Sequence, residues 1–377
     1  MEKIYIPKEK GSTTYLTHNF HSYPAKFVPQ IPNYFIKKLT NEYDVVFDPF
    51  VGCGTTMVEC KLLNRIGIGI DLNPIATLVS ESKTANLSVT EINEVVNTVG
   101  QIKKAIYNLY EKGIFNYQIP YFHNRDHWFQ NNVQKELTII IGFLNKLRNR
   151  KISNFLKTAI SSIIVSVSNQ ESDTRYAAKN KNIVDYQTFQ VFEKKTESMI
   201  IRVKEFNSKA NGINIEIYND DSTKIDFLED NSVDIVITSP PYANTYDYYL
   251  YHKLRMYWLG YDVSVVKNKE IGSRDKHSSQ KKDIDDFNNN LKLCFTEVVR
   301  VLKHNKYAVI VIGDSIIRKK FFDSKKMMIA LGLQIGLEFV DSISEKLYKT
   351  TRMFNPKFTN SQKSEHIMLF KNIKNEI

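Results

Sequence analysis

Hydrophobic and polar positions follow two different periods along this chain of 377 residues. Short aliphatic runs, most of them rich in β-branched residues, predict strands at 43–47, 66–70, 213–218, 233–238, 307–312 and 367–370. Apolar spacings of three and four predict helices before Leu39, at 55–63, from Pro74 onward and at 285–303. Strand and helix alternate between 43 and 84, and such β-α-β units require a parallel sheet. The predicted fold class is therefore α/β.

Residues 85–212 have a different pattern. Long stretches such as 133–147 and 152–167 carry helical spacing, and strand-like alternation is scarce. We therefore predict one α/β domain formed by 1–84 and 213–377, interrupted by a mostly helical domain at 85–212. The segment 267–284 is charged and poor in large apolar residues, which predicts a mobile loop.

Composition adds a preference for a polyanionic partner. Lys and Arg number 52 against 41 Asp and Glu, a net charge of +11, and nucleic acid is the commonest partner of so basic a protein. Cys53, Cys60 and Cys294 show no CxxC spacing and the histidines no metal-binding spacing, so we predict neither a metal site nor disulfides. The first residues lack an apolar signal core, and no apolar run could cross a bilayer. These features predict a soluble, cytoplasmic protein.

The most informative stretch is Ser-Pro-Pro-Tyr at 239–242, directly after the predicted strand 233–238. Two prolines end a strand abruptly and bring no N–H donors, so this turn presents mainly hydrogen-bond acceptors. Acceptors beside an aromatic ring suit a planar group that carries an exocyclic NH2, as nucleobases do. The same residues could also be a simple turn that closes a strand.

A second turn follows the first predicted strand and reads Asp-Pro-Phe-Val-Gly-Cys-Gly-Thr at 48–55. Gly52 and Gly54 allow a tight turn and a close approach of backbone to ligand at a helix N-terminus. Met57 stands where a GxGxxG motif has its third glycine, and no Gly-Lys-Ser/Thr follows, so a pyrophosphate-binding loop is not indicated. Asp71, at the end of the next strand, is placed to accept hydrogen bonds from ribose hydroxyls, and Asp48 to bind a cationic amine.

Together, these two turns resemble those of the DNA amino-methyltransferases that use S-adenosylmethionine. The Ser-Pro-Pro-Tyr form is most similar to the cytosine-N4 branch, whereas adenine-N6 relatives more often carry Asp or Asn at the position of Ser239. The resemblance covers 16–84 and 213–377, including segments similar to the family's N-terminal motif at 18–27, its third motif at 220–222 and its closing strand at 363–370. It implies a Rossmann-like class I methyltransferase sheet with helices on both faces. The helical insertion at 85–212 is the part of the chain that departs from the family's pattern.

The resemblance also implies roles for individual residues. The glycine turn would line the methionine end of the cofactor, Asp71 would hold the ribose, and Asp221 would meet the adenine amino group. The full set of implied cofactor contacts is Tyr23, Asp48, Phe50, Gly52, Gly54, Thr55, Asp71, Asp221, Ser222 and Thr238.

The implied catalytic turn comprises Ser239, Pro240, Pro241 and Tyr242. Ser239 and the Pro240 carbonyl would accept hydrogen bonds from the target amine, and Tyr242 would stack on a base that has left the duplex. Methylation at carbon 5 of cytosine would need an activated cysteine, typically after a proline, and this chain has no Pro-Cys pair.

Aromatic and basic residues cluster at 246–258, with a spacing that predicts a helix packed into the domain through its Tyr and Trp side chains. Candidates for phosphate contacts are Lys253, Arg255, Arg274 and Lys276. In the insertion, the polar cluster at 171–176 is either a surface facing the active site or DNA, or a capped helix junction.

These observations predict a site-specific methyltransferase that modifies the N4 amine of cytosine in double-stranded DNA. The family context suggests the protective half of a restriction–modification system with a cognate restriction endonuclease. The insertion is the expected target-recognition region, and the loop at 267–284 could share that task. Three alternatives remain open: adenine-N6 transfer in DNA, an RNA amino-methyltransferase, and a catalytically inactive DNA-binding protein. The enzyme interpretation requires that the glycine turn and the proline turn lie at the same edge of one sheet.

Overall fold

The structure, a computed structural model, describes residues 12–24, 26–273, 284–317, 320–346 and 363–374. The strands in this part of the chain are β1 (Val45–Asp48), β2 (Ile66–Ile70), β3 (Gln170–Ser172), β4 (Arg175–Ala178), β5 (Ile215–Tyr218), β6 (Val233–Thr238), β7 (Leu302–Gly313), β8 (Ser315–Ile317), β9 (Lys320–Phe322), β10 (Leu337–Lys346) and β11 (Ser364–Asn372). The helices are α1 (Gln30–Leu39), α2 (Thr55–Leu62), α3 (Pro74–Thr84), α4 (Val89–Lys112), α5 (Arg125–Trp128), α6 (Asn131–Leu144), α7 (Arg150–Ile163), α8 (Gln187–Lys209), α9 (Tyr248–Leu259), α10 (Val263–Lys269), α11 (Ile284–Val301) and α12 (Ser324–Ile335).

A central sheet of seven strands has the order β10-β11-β7-β6-β1-β2-β5. Neighbours from β7 through β6, β1 and β2 to β5 are parallel, and β11 is antiparallel to both β7 and β10. The chain builds outward from β1 in one direction through β2 and β5, and from β6 in the other through β7. The switch point between β1 and β6 is where open α/β sheets bind ligands, beyond the carboxyl ends of the strands.

Both faces of this sheet are covered by helices. On one face, α11 and α12 pack against the strands through residues such as Phe295 and Met328. On the other face, α1 and α2 do so through residues such as Phe35 and Met57. Every residue of β6 is buried, which explains why its sequence is an almost uninterrupted apolar run. The predicted Rossmann-like α/β fold class is confirmed.

Residues 85–212 contain α4 to α8 and the antiparallel hairpin β3–β4. The helices share a buried cluster of apolar side chains, which also takes in Phe20, Leu254 and Trp258 from outside this range. At its base, Asn207 Nδ2 donates a hydrogen bond of 2.6 Å to the Leu87 carbonyl, so the two ends of the segment lie side by side. Its status as a separate domain stays a prediction.

Most predicted elements are present, with informative differences. The strands at 66–70 and 233–238 have the predicted bounds, whereas β1 begins at Val45 because Tyr43 takes a left-handed φ of 69°. The predicted loop at 267–284 is wrong at its start, since α10 extends to Lys269, and residues 274–283 lie outside the described residues. The hairpin β3–β4, α12 and β10 were not predicted. No helix in the described ranges combines the length and apolarity needed to span a membrane.

Candidate active site

A cavity of about 950 Å³, including space open to solvent, lies beyond the carboxyl ends of β1, β2 and β6. Its wall contains most of the residues that the sequence placed in the cofactor and catalytic sets: Tyr23, Asp48, Phe50, Gly52, Thr55, Asp71, Asp221, Ser222, Ser239 and Pro241. The structure thus brings together residues that follow four strands, β1, β2, β5 and β6, and a residue from the segment before α1.

The glycine turn and the proline turn lie at the same edge of the sheet. Strands β1 and β6 are parallel neighbours, with Phe47 opposite Val236. Beyond this pair, Thr238 Oγ1 donates a hydrogen bond of 2.6 Å to Asp48 Oδ1, and Thr56 Oγ1 donates one of 2.8 Å to Asp48 Oδ2. One buried carboxylate therefore joins the strand before the catalytic turn to the helix after the glycine turn.

The two glycines of the first turn have different tasks. Gly52 has a φ of +50°, and its N–H donates a hydrogen bond of 2.9 Å to Asp71 Oδ2. Gly54 has a φ of +76° and precedes α2, and a Cβ there would lie 2.8 Å from the Cα of Ser80. Gly54 is therefore needed for the packing of α2 against α3, and it does not line the cavity.

Asp48 and Asp71 are carboxylates withdrawn from water. Burial raises the pKa of each to about 6, although Thr238, Thr56 and the Phe50 N–H oppose this shift at Asp48. Asp71 also accepts a hydrogen bond of 2.8 Å from the Asn73 N–H. Desolvated carboxylates of this kind favour a ligand that brings positive charge or hydroxyl donors.

The opposite flank of the cavity is closed by the loop after β5 and by α10. Asp221 accepts hydrogen bonds from the Thr223 N–H at 3.1 Å and hydroxyl at 2.8 Å, and lies 3.5 Å from Lys269 Nζ. Burial alone would raise the pKa of Asp221, but the Thr223 hydrogen bonds and the Lys269 charge lower it. Ser222 Oγ donates to the Pro49 carbonyl, which fixes this loop to the glycine turn.

In the proline turn, Ser239 and Pro241 reach the cavity, whereas Pro240 and Tyr242 are buried behind it. The Tyr242 ring lies against Gly313, where an added Cβ would come within 2.7 Å of it. Its hydroxyl donates a hydrogen bond of 2.8 Å to Glu365 Oε1. This arrangement anchors the turn to β7 and β11, and it differs from the predicted stacking of Tyr242 on a base.

The structure corrects the prediction that Arg255 contacts phosphate. Its side chain is fully buried, with Nε donating to the Ser161 carbonyl and Nη1 to the Tyr251 carbonyl, each at 2.8 Å. Nη2 forms an ion pair with Asp173, in the turn of the β3–β4 hairpin. This guanidinium cannot reach a phosphate because α7, α9 and the hairpin enclose it.

The other predicted phosphate contacts are not tested by the structure. Lys253 is half-buried, and its ammonium lies 5.8 Å from the ring centroid of Tyr176 and 5.7 Å from that of Tyr257. Arg274 and Lys276 lie outside the described residues.

Several wall residues were not among the predicted site residues. For some of them the sequence held a signal: Lys26 and Phe27 belong to the motif-like segment 18–27, and Asn73 comes two residues after Asp71. For the residues of α10 and the turn after it there was none, because their sequence reads as a charged loop. The wall residues absent from the predicted set are Lys26, Phe27, Val51, Cys53, Leu72, Asn73, Tyr248, Val266, Lys269, Glu270 and Ile271.

Comparison with known proteins agrees with this geometry. The type II methyltransferase M.MvaI of Kocuria varians is 27% identical over 284 residues, covering 70% of this chain and 62% of the relative. M.MjaII of Methanocaldococcus jannaschii is 24% identical, covering 72% of this chain and 67% of the relative. The chain thus spans about two thirds of the length of these curated relatives.

A solved SAM-dependent methyltransferase from Methanosarcina mazei shares 9% identity, with 90% of this chain and 98% of that chain covered, at a TM-score of 0.35. The family comparison is decisive, since the model of the DNA methylase family that comprises N6- and N4-methyltransferases matches residues 1–81 and 233–376. The chain belongs to this DNA methylase family.

Proposed function

We propose that this protein transfers a methyl group from S-adenosylmethionine to the exocyclic N4 amine of cytosine in duplex DNA. The observation that carries the proposal is that Asp48, Asp71 and Ser239 face one cavity, with the two turns joined through Thr238. The curated relatives are named type II methyltransferases, which supports a role as the modification enzyme of a restriction–modification system with a cognate endonuclease.

The cavity wall fits S-adenosylmethionine. Asp71 would accept hydrogen bonds from the ribose hydroxyls, and Asn73 Nδ2, buried without a partner in the described part of the chain, is a donor available to the ligand. Asp221 and Phe50 offer an acceptor and an aromatic face for the adenine. Asp48 supplies negative charge beneath the glycine turn. When bound, the cofactor supplies an electrophilic methyl group on a sulfonium.

The proline turn would prepare the target amine. The lone pair of an exocyclic base amine is delocalised into the ring, so the free amine is a poor nucleophile. Ser239 Oγ, which reaches the cavity, would accept an N–H of the amine, favour a more pyramidal nitrogen and direct the lone pair along the line of transfer. This route requires no covalent enzyme nucleophile.

The choice of cytosine depends on Ser239, since adenine-N6 relatives more often carry Asp or Asn there. We further propose that residues 85–212 recognise the target sequence. The hairpin β3–β4 supports this role, because Asp173 in its turn accepts a hydrogen bond of 3.0 Å from Ser22, next to the cavity residue Tyr23. This contact holds part of the inserted segment close to the candidate active site.

Labelled methyl transfer to mixed-sequence duplex DNA, followed by mass spectrometry of the nucleosides, tests the function. We expect N4-methylcytosine in the DNA and no label in RNA of matched sequence. N6-methyladenine would select the adenine enzyme, and label in RNA alone would refute a DNA substrate. If isothermal titration detects no S-adenosylmethionine binding, the protein is a DNA-binding relative without this activity.

Affinity for S-adenosylmethionine should rise as the pH increases from 5 to 7. With pKa values of about 6, Asp48 and Asp71 are largely protonated at pH 5 and ionised at pH 7, and a cationic, hydroxyl-bearing ligand favours the ionised forms. Binding near pH 6 should therefore release protons. Titration calorimetry in two buffers of different ionisation enthalpy measures this release, and the Asp71→Asn variant should release fewer protons.

The stability of the ligand-free protein should change in the opposite sense and decrease as the pH rises. Because both folded pKa values lie above the ordinary value of 3.8, the stability that these groups contribute is full below that value and is lost as the pH rises through 6. An affinity that does not change between pH 5 and 7, with no proton release, would contradict the proposed contacts of both carboxylates.

A further inference from the structure

A second cleft lies beside the candidate active site, between residues 19–22 with Lys26, the end of α7, and α8. It has a volume of about 840 Å³, including open space, and its polar wall includes Ser22, Lys26, Ser162, Lys194, Lys195 and Ser198. Lys26 belongs to the walls of both cavities. The two sites are therefore separated by no more than one lysine side chain.

The lysines of this cleft are not balanced by carboxylates. Within the described ranges, Lys26, Lys194 and Lys195 form no ion pair, and two of the nearby acids are engaged elsewhere. Glu193 pairs with Lys103 at 3.0 Å, and Asp173 pairs with the buried Arg255. The cleft therefore carries a local excess of positive charge.

Lys195 is the most constrained of these cations. Its ammonium is half-buried and donates a hydrogen bond of 3.1 Å to the Asn19 carbonyl. Burial, and then the positive charges of Lys26, Arg202 and Lys83, lower its pKa to about 8. Repulsion among cations in a partly desolvated site is relieved when an anion binds between them.

The wall also offers neutral donors. Ser198 contributes a hydroxyl, whereas the hydroxyls of Ser22 and Ser162 already donate to Asp173 at 3.0 Å and to the Ala159 carbonyl at 2.7 Å. His21 is buried with Nε2 at 3.0 Å from Ser161 Oγ, while Nδ1 has no partner among the described residues. Ammonium groups combined with hydroxyls are the donor set with which proteins hold phosphate oxygens.

We propose that this cleft binds a backbone phosphate of the DNA strand that carries the target base. This inference rests on the proposed function, because it takes DNA as the substrate. A phosphate held by Lys194 and Lys195, next to Lys26, would fix the strand within reach of the candidate active site without reading its sequence. The strand would then be oriented before its base enters the cavity.

The test is the salt dependence of DNA binding by the Lys194→Gln/Lys195→Gln double variant. In a plot of log K for DNA binding against log salt concentration, the slope is negative. Each lost phosphate contact makes it less steep by about 0.9. Fluorescence anisotropy with duplex DNA measures this slope. We expect its magnitude to decrease by about that amount for each lysine that contacts phosphate. S-adenosylmethionine affinity should be unchanged, because neither residue lines the first cavity.

Lys204→Gln is the matched control, since Lys204 is an exposed lysine of α8 outside the cleft. An unchanged slope in the double variant, or an equal fall in Lys204→Gln, would overturn the phosphate site. If the double variant unfolds at a lower temperature, Lys194→Gln alone must lower the slope, and its failure to do so would also overturn the site.

The other outcomes separate this inference from the proposed function. Normal DNA methylation by the wild type together with an unaffected double variant would refute the phosphate site alone. A wild type that neither binds nor methylates DNA would remove the proposed function, and the phosphate site with it. An equal loss of duplex RNA binding would make the cleft a general polyanion site and overturn its assignment to the target DNA strand.

Discussion

Replacing Ser239 with alanine should lower the turnover number of methyl transfer by about 100-fold, the loss that follows removal of one hydrogen-bonding group used in a transition state. Cofactor affinity should change by no more than about threefold, because a contact made mainly in the transition state contributes little to ground-state binding. Ser239 reaches the cavity from the end of β6, whereas Asp71 and Asp221 project from other strand ends. Steady-state kinetics and calorimetry on the same preparation measure the two quantities.

Ser222→Ala is the matched control, because it removes the same hydroxyl group from the same cavity wall. Ser222 Oγ donates to the Pro49 carbonyl and so supports the flank assigned to the adenine. This variant should bind S-adenosylmethionine more weakly, with little change in turnover once the cofactor is saturating. If Ser239→Ala loses turnover and cofactor affinity equally, Ser239 has a structural role and the proposed handling of the amine is wrong.

Replacing Arg255 with methionine should lower the free energy of unfolding by about 3 kcal/mol, near the lower end of the cost of breaking a buried ion pair. The variant leaves the half-buried Asp173 without its charged partner and the Ser161 carbonyl without its donor. Methionine fills much of the vacated volume, so the lost polar contacts account for most of the effect. Urea unfolding followed by circular dichroism measures the change.

Lys253→Met controls for the loss of a cation from the same helix. Its half-buried ammonium lies over the rings of Tyr176 and Tyr257, an interaction worth about 0.5–1 kcal/mol at partly exposed sites. A loss in Arg255→Met no greater than that in Lys253→Met would contradict the buried ion pair. Combining Arg255→Met with Asp173→Asn should cost less than the sum of the two single changes, because the two residues share one interaction.

The central strands could be predicted from sequence because consecutive residues in them are buried and therefore mostly apolar. β2 and β6 are covered on both faces of a parallel sheet, so both read as apolar runs whose limits the structure reproduces. The residues of the two turns follow directly from the strand ends. Asp48, Asp71 and Ser239 were therefore found without knowledge of the packing.

The other residues in and near the site could not be predicted, because their positions depend on contacts between distant parts of the chain. Arg255 reads as a surface charge, because its partner Asp173 lies 82 positions earlier and only the folded chain brings them together. Lys269 is similar, since its partner Asp221 belongs to the loop after β5. A charged, glycine-containing sequence at 267–284 gives no local sign that its first residues close a cavity.

The hydrogen bond between Asn207 and Leu87 marks a position where the chain can tolerate insertions and deletions. It brings the two ends of the helical segment together, so the chain enters and leaves this segment at neighbouring positions. Chain can be added or removed at such a junction without shifting β2 or β5, as insertions are tolerated wherever entry and exit points coincide. Grafting a different set of helices at this junction then requires complementarity to Phe20, Leu254 and Trp258, the outside partners of its core, and to Glu81 and Ser82 of α3, which form hydrogen bonds with α7.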